Sequence, residues 1–450
     1  MSSRINLTRE IWRLTIPNIV SNITVPLLGM ADMAIAGRLG NSAAMIGALA
    51  IGTTIFNFIY WNCSFLRMGT SGLTAQAFGA RHFDECANTL VRSVLMALAM
   101  AALLLILQIP IGRAAIRIMN GDELVARYFF ARIWAVPAAI SLFAINGWFI
   151  GMQNSATPMI IAIIQNVINI IFSIWFAFGL DMGLEGIAWG TVVSQYGGIA
   201  IAAIAIIARY RNIVRLANLR QSLRMEALKR FFGVNRDIFL RSFCLVLAYT
   251  FFTAAAARMD NPVILAVNAL LMQLFTLYSY MSDGVAYAAE SMTGRFVGAR
   301  DARSLHQTII RMFRIALAFA SAYVIIYAFG WSGLLHLFVD AGSADAPMIM
   351  SAAEKYRIWV IISPLAGFAP FLLDGIMIGA TLTRVLRNSM FGALAIYFAT
   401  YYLLRGWLGN DALWLAFILF MVARGVLQYI MVGGMRGIIR KAIHPIKAVR

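Results

Sequence analysis

The chain has 450 residues, 61% hydrophobic and 12% charged, with 37 Lys and Arg against 19 Asp and Glu for a formal charge of +18. Soluble domains carry roughly 25% charged residues, so a chain this apolar, with a mean hydropathy of +0.79, has its surface in lipid. The basic excess does not point to nucleic acid, because the cations sit in short segments between apolar runs, with no basic domain, RNA-binding aromatic motif or zinc-finger spacing.

Taken from the start, "MSSRINLTRE" leads at once into a long apolar run without a small-residue cleavage site, which predicts an uncleaved first helix and not a signal peptide. A hydrocarbon core about 30 Å thick needs roughly 20 apolar residues per helix. Such runs fall near 11–38, 44–68, 90–112, 128–152, 158–180, 185–208, 236–258, 263–293, 307–330, 355–379, 388–405 and 412–435. Turn signals separate many of them: "RLGNSA", "QNSATP", "GLDMGLEG", "RMDNP" and "LGNDA". The expected class is therefore an all-α membrane protein of twelve transmembrane helices, with no hydrophilic stretch long enough for a soluble domain.

The first run holds two residues that are costly in an apolar helix, Pro17 in "LTIPNIV" and Asp32 in "LLGMADMAIAGRLG". Pro17 lacks an N–H and crowds the preceding turn, which predicts a hinge; Asn18, Ser21 and Asn22 are placed to take up the freed backbone groups. At 1.5 Å per residue, Asp32 lies roughly 9 Å inside the Arg38 end. A carboxylate there costs several kcal/mol unless paired or hydrated. Its neighbours one turn away, Leu28, Gly29, Ile35 and Ala36, cannot pair with it. Any partner must come from another helix, and such an acid is the first candidate for proton or cation coupling.

Further along, Asn166, Asn169 and Ser173 share one face of the fifth run. They offer amide and hydroxyl groups to a carboxyl without adding negative charge, which suits a proton better than sodium. Their ordinary alternative is interhelical hydrogen bonding. Asp283 and Glu290 lie seven residues apart on the eighth run and read as structural ion-pair partners for Arg67, Arg295 or Arg424. Asp374, in "LLDGIMIG", is a second intramembrane acid and a candidate for cation or substrate. Cys63, Cys86 and Cys244 form no CxxC pair, so neither a disulfide framework nor a metal site is read from them. The 24 methionines and abundant aromatics suit an adaptable cavity, but Tyr60, Trp61, Trp134 and Trp148 read more readily as packing or lipid contacts.

Twelve spans put both termini on one side. That side collects 26 of the 37 Lys and Arg, the other side 9, and Arg67 and Arg424 fall within spans; the asymmetry predicts cytoplasmic termini. The chain also repeats itself. "SGLTAQAFGARHFDE" parallels "AESMTGRFVGARDAR", "GRLGNSAAMIGAL" parallels "ARMDNPVILAVNAL", and "NGWFIGMQNSATP" parallels "DGIMIGATLTRVL", in the same order. A duplicated six-helix unit follows, with the site expected near the midplane. The expected organisation is an N-terminal lobe over 1–208, a basic linker over 209–235 near anionic lipid, a C-terminal lobe over 236–435 and a basic tail over 436–450. In the last pairing Asn146 stands where Asp374 does. Asp32 has no such counterpart, since the matching position is Phe252.

With "ADMAIAGRLG", "AQAFGA", "QNVINIIFSI" and "LDGIMIGATLTRVLRNSM" in hand, the sequence resembles the multidrug and toxic compound extrusion (MATE) transporters over nearly its whole length, and within them the DNA-damage-inducible F branch. The resemblance implies two six-helix lobes forming a V, and export of organic cations or other toxic compounds against inward proton or sodium flow. It implies no cofactor, a monomer, small organic and cationic substrates, the bilayer as the other partner, and a bacterial inner (plasma) membrane location. It also adds Thr191 to the N-lobe polar site with Asn146, Asn166, Asn169 and Ser173. Many relatives carry an Asp at the end of the helix-5 pattern where this chain has Ser173, and sodium-coupled relatives carry a helix-7 acid that is absent here. Both departures favour protons. The alternative is a flippase of lipid-linked sugars, which such proteins serve with several cavity cations; only Arg67 and Arg424 are read inside spans. An intramembrane enzyme is disfavoured, since there is no HExxH, G-x-S-x-G or mid-span histidine, and no phosphate-binding G-x-x-x-x-G-K-[ST] loop supports a primary pump.

Overall fold

A bilayer offers the backbone no water, so a spanning segment must satisfy its own N–H and C=O groups. A computed structural model describes residues 6–259, 261–338 and 346–443, and the described residues form helices and no strand. Among them are twelve long helical segments: α1 (Leu7–Ala36), α2 (Ser42–Gly79), α3 (Phe83–Ile106), α4 (Glu123–Gly151), α5 (Ala156–Gly179), α6 (Gly183–Val214), α7 (Met225–Ala257), α8 (Pro262–Gly298), α9 (Ala302–Phe329), α10 (Ala346–Gly379), α11 (Thr383–Leu408) and α12 (Asn410–Val432). All but α11 are apolar enough along their length to span a membrane; α11 has its apolar middle flanked by Arg384, Arg387 and Arg405.

The departures from regular helix have local causes. α2 breaks at Ser64, whose hydroxyl donates to the Trp61 carbonyl at 2.7 Å. α4 tightens into a 3-10 turn at Ile133–Ala135 ahead of Pro137, which has no N–H to give the ladder. α5 ends in a π turn at Trp175–Gly179, and α1 carries a second proline, Pro26, besides Pro17.

Two units of dense contact are present, one of Ile16–Asn235 and one of Met1–Thr15 with Arg236–Arg450. Both divisions fall within helices. That in α1 lies two residues before Pro17. The first turns of α1 bury Leu7, Ile11, Leu14 and Thr15, and Glu10 accepts from Arg295 of α8 at 2.6 Å. Arg295, a candidate partner for the α8 acids, is thus paired with Glu10.

The basic stretch 209–235, expected as a linker, is largely helical: the end of α6, a turn at Leu219–Ser222 and the start of α7. It is pinned to α3, where Arg92 Nε donates to the Ser222 carbonyl at 2.9 Å and Asn88 Oδ1 accepts from Asn218 N–H at 2.8 Å. The expected tail over 436–450 begins inside a short helix, Gly434–Ile443, and 444–450 lie outside the described residues.

The duplication shows in the backbone. α2 and α8 end alike: Arg81 and Arg300 take left-handed φ values of 60° and 55°. The next amides, of His82 and Asp301, reach back to Ala77 and Phe296 carbonyls at 2.9 and 3.0 Å, a helix stop that glycine usually provides. α4 and α10 end alike too, with Gln153 at 61° and Thr381 at 53°. Gly147 and Gly151 let α4 close on α2 at the Arg67 and Ser71 carbonyls. Gly375 and Gly379 let α10 close on α8 at Ala286 and Glu290; a Cβ at any of the four would clash with those oxygens. This is small-xxx-small packing, in matching registers of the two halves.

Candidate functional site

Asp32 is buried near the end of α1, at 8% exposure, with Oδ1 lacking any hydrogen-bond partner. The basic charge whose field reaches it is Arg132 of α4. Arg132 lies over the Phe56 ring at 4.9 Å and the Tyr128 ring at 5.5 Å. It donates to the Tyr128 hydroxyl at 2.5 Å and to Thr53 Oγ1 at 3.4 Å. Gly52 makes room for the Tyr128 ring, which a Cβ there would strike.

The expected polar set divides. Asn169, Ser173 and Thr191 come together between α5 and α6: Asn169 Nδ2 donates to Thr191 Oγ1 at 3.1 Å, and Ser173 Oγ donates to Asn169 Oδ1 at 3.4 Å. Thr191 Oγ1 in turn donates to the Ile187 carbonyl at 3.1 Å. Ser173 is seated against Gly190, where a Cβ would meet its Oγ and backbone, so this contact is built around small residues. Asn166 instead reaches α1, donating to the Thr24 carbonyl at 3.0 Å, about two turns before Asp32. Asn146 stays apart, its Oδ1 buried with no partner. Among the described residues no hydrogen bond joins Asp32 to any of these five.

Asp374 is not the open cation site the sequence led us to expect. At 4% exposure, its Oδ2 takes Arg241 of α7 and, at 2.7 Å, Arg424 of α12, while Oδ1 takes Gln428 Nε2 at 2.6 Å. Arg424 is fully buried over the Phe371 ring at 5.1 Å. Both oxygens of Asp374 are taken by donors, two of them guanidiniums that also lie in the field of Asp283 of α8, so it has no free oxygen to offer a cation. Arg424, read as a partner of the α8 acids, bonds Asp374 and also lies in the field of Asp283 of α8.

Arg132 and Arg241 were missed because counting basic residues assigned them to the flanking loops. Their clues were position: Arg132 lies inside the run read at 128–152, and Arg241 inside that at 236–258. Of the four undecided aromatics, Trp148 is core, its Nε1 donating to the Cys86 carbonyl at 2.8 Å. Trp61 and Trp134 are about half exposed, at 49% and 47%.

The sequence pattern of the MatE family matches residues 17–175 and 238–403. The chain is 37% identical over 426 residues to DNA damage-inducible protein F of Escherichia coli strain K12, spanning 93% of this chain and 90% of that one. It is 24% identical over 383 residues to a probable multidrug resistance protein NorM of Bradyrhizobium diazoefficiens, covering 82% and 78%. Its fold matches a crystal structure of MATE in the bent conformation, with a TM-score of 0.85 at 20% identity over 97% and 96% of the two chains. It also matches an outward-facing multidrug resistance MATE transporter of the MOP superfamily, at 0.81 and 22% over the same shares. At these identities the structural likeness speaks for the fold alone.

Proposed function

The chain belongs to the MatE family of multidrug and toxic compound extrusion transporters, membrane proteins and not enzymes, and on that premise we propose that it is a secondary antiporter exchanging protons for organic cations. Asp32 is the coupling residue and the exchange runs across a bacterial inner membrane with both termini cytoplasmic. The proton gradient drives it and no cofactor is needed.

The observation that carries this reading is the contrast within the N-terminal unit. Asn169, Ser173 and Thr191 bond to one another, while Asp32 keeps a buried oxygen without a partner. Sodium, a hard cation, asks for several oxygens around one point, and none of the neighbouring amides and hydroxyls is bonded to Asp32. A proton needs only the one carboxyl. Asn166 ties α5 to α1 at Thr24, so the polar face of α5 supports the coupling helix and does not ligate the ion. Asn146, with its unpartnered oxygen, is a second polar group of this unit that a substrate could engage.

The test is efflux of a dye cation from proteoliposomes, driven separately by a proton and by a sodium gradient. Export under the proton gradient alone supports the assignment, and export that demands sodium at fixed pH overturns it. Pro17 is the hinge of this scheme: the contact units divide two residues before it, and its missing N–H weakens the ladder there. Pro17→Ala should lower efflux several-fold without lowering the melting temperature, since a proline inside a helix is itself destabilising; normal efflux in this variant would remove the hinge.

A further inference from the structure

Arg132 has an unusual setting for a basic residue in an apolar bundle. A buried guanidinium is normally held by a carboxylate, as Arg424 and Arg241 each are by one bond to Asp374 Oδ2. Arg132 makes no such ion pair among the described residues. It rests on two aromatic faces, Phe56 and Tyr128, with one short bond to the Tyr128 hydroxyl and one long bond to Thr53. Its Nε is buried without a partner. The nearby Tyr60, in its field, adds a third ring, 5.9 Å from Phe56. An anionic group, Asp32, lies within electrostatic reach.

Aromatic faces, a hydroxyl and a carboxylate not in direct contact are the chemistry that recognises a flat, delocalised organic cation. We infer that Arg132 is a tethered occupant of a cation cage, a specificity-determining residue whose guanidinium fills the place an exported planar cation takes. The inference rests on the proposed antiport at Asp32 and deepens it. With the cage empty of substrate, Arg132 neutralises ionised Asp32 and keeps metal ions away. An incoming cation displaces the guanidinium from the rings and takes up the attraction of Asp32. Protonation of Asp32 removes that attraction, and Arg132 returns to Phe56 and Tyr128 and expels the guest.

The titratable and charged groups facing Arg132 are Asp32 from α1, Tyr60 from α2, and Tyr128 from its own helix. Glu185 on α6, which also packs on this part of α4, faces Arg127 at 3.9 Å instead. The carboxylate among these groups is Asp32, and the pH response of the cage is assigned to it.

The full-length protein in proteoliposomes tests this, with ethidium as the planar probe, its binding read by fluorescence anisotropy and proton entry by an entrapped pH dye. Arg132→Gln should bind ethidium on the order of tenfold more tightly, a displaced cation–π contact's worth, and should admit protons without substrate. Arg132→Lys keeps the charge but not the flat stacking group. It should stay proton-tight and bind ethidium at an intermediate strength. Wild-type affinity and wild-type tightness in a folded Arg132→Gln protein would overturn the inference. If that variant does not fold, Arg132→Lys decides, with unchanged affinity counting against. The binding arm does not depend on coupling: tighter ethidium binding in the Arg132 variants alongside sodium-driven wild-type efflux would sink the proton assignment and leave the cage standing.

Discussion

Asp32 and Asp374 are both acids buried in the membrane-spanning part of a duplicated scaffold, and the two halves treat them in opposite ways. In the C-terminal unit Asp374 receives Arg241, Arg424 and Gln428, three donors from two other helices. In the N-terminal unit Asp32 keeps an oxygen without a donor, and its counter-charge, Arg132, rests on aromatic rings. The difference teaches that burial alone does not make an intramembrane acid functional. A carboxylate whose oxygens are all taken ties helices together, and one that is left short of partners has an energetic reason to exchange a proton.

The sharpest way to break this comparison is to delete each acid. Asp374→Ala takes the shared acceptor from three buried donors and leaves two guanidiniums with Asp283 as the acid in their field, which should destabilise the protein by about 3–5 kcal/mol and appear as a large drop in melting temperature in detergent. Asp32→Asn removes an acid that holds no ion pair among the described residues, so its melting temperature should move by the equivalent of about 1 kcal/mol or less. Similar losses in the two proteins would erase the distinction between strut and site.

Function should divide the other way. Asp32→Asn keeps the shape and removes the proton, so coupled efflux should fall to background in protein that melts normally. Asp374→Asn, in contrast, should retain measurable efflux in whatever fraction folds. Full efflux from Asp32→Asn would move coupling elsewhere in the molecule.

A third pair of variants asks whether the shared scaffold is energetically the same in both halves. Gly147→Ala pushes a methyl into the Arg67 carbonyl and Gly375→Ala into that of Ala286. Each should be destabilising by about 1–3 kcal/mol as the helices are forced apart, and by similar amounts, because each glycine admits the neighbouring backbone. Melting curves of the two single variants, and of the double variant, measure this.

The sequence displayed the scaffold well, because hydrocarbon thickness and backbone satisfaction dictate run length and the repeat left three parallel segments in the same order in both halves. It displayed Asp32 for the same reason, a lone charge in an apolar run. The chemistry around the acids was less legible. Arg241 lies 133 residues from Asp374 and Arg424 lies 50 away, separations that no periodicity reports. Arg132 and Arg241 stand near run ends, and α7 extends to 33 residues, well past the roughly 20 that lipid requires, so a residue near the end of an apolar window was deep in the bundle. Asn166, Asn169 and Ser173 share a face as read, yet Asn166 serves α1 and the other two serve α6; a face says where side chains lie, not which neighbour answers them.

The smallest predicted effect is the finest test of equivalence between the halves, and its sign is opposite. Arg81 and Arg300 hold left-handed backbone at the ends of α2 and α8, where a side chain crowds the following carbonyl and glycine does not. Both arginines are exposed. Replacing either by glycine relieves that crowding but enlarges the conformational freedom of the unfolded chain, an opposing term of comparable size. The helix-ending bonds from His82 to Ala77 and from Asp301 to Phe296 are made by backbone alone and survive the change. Relief of the strained backbone should win narrowly. Arg81→Gly and Arg300→Gly should therefore each raise stability by on the order of 0.5 kcal/mol, equally in the two halves and without altering efflux. A gain in one and a loss in the other would show that the repeated turn is kept for different reasons in the two halves, with one arginine holding a role that its backbone conformation does not reveal.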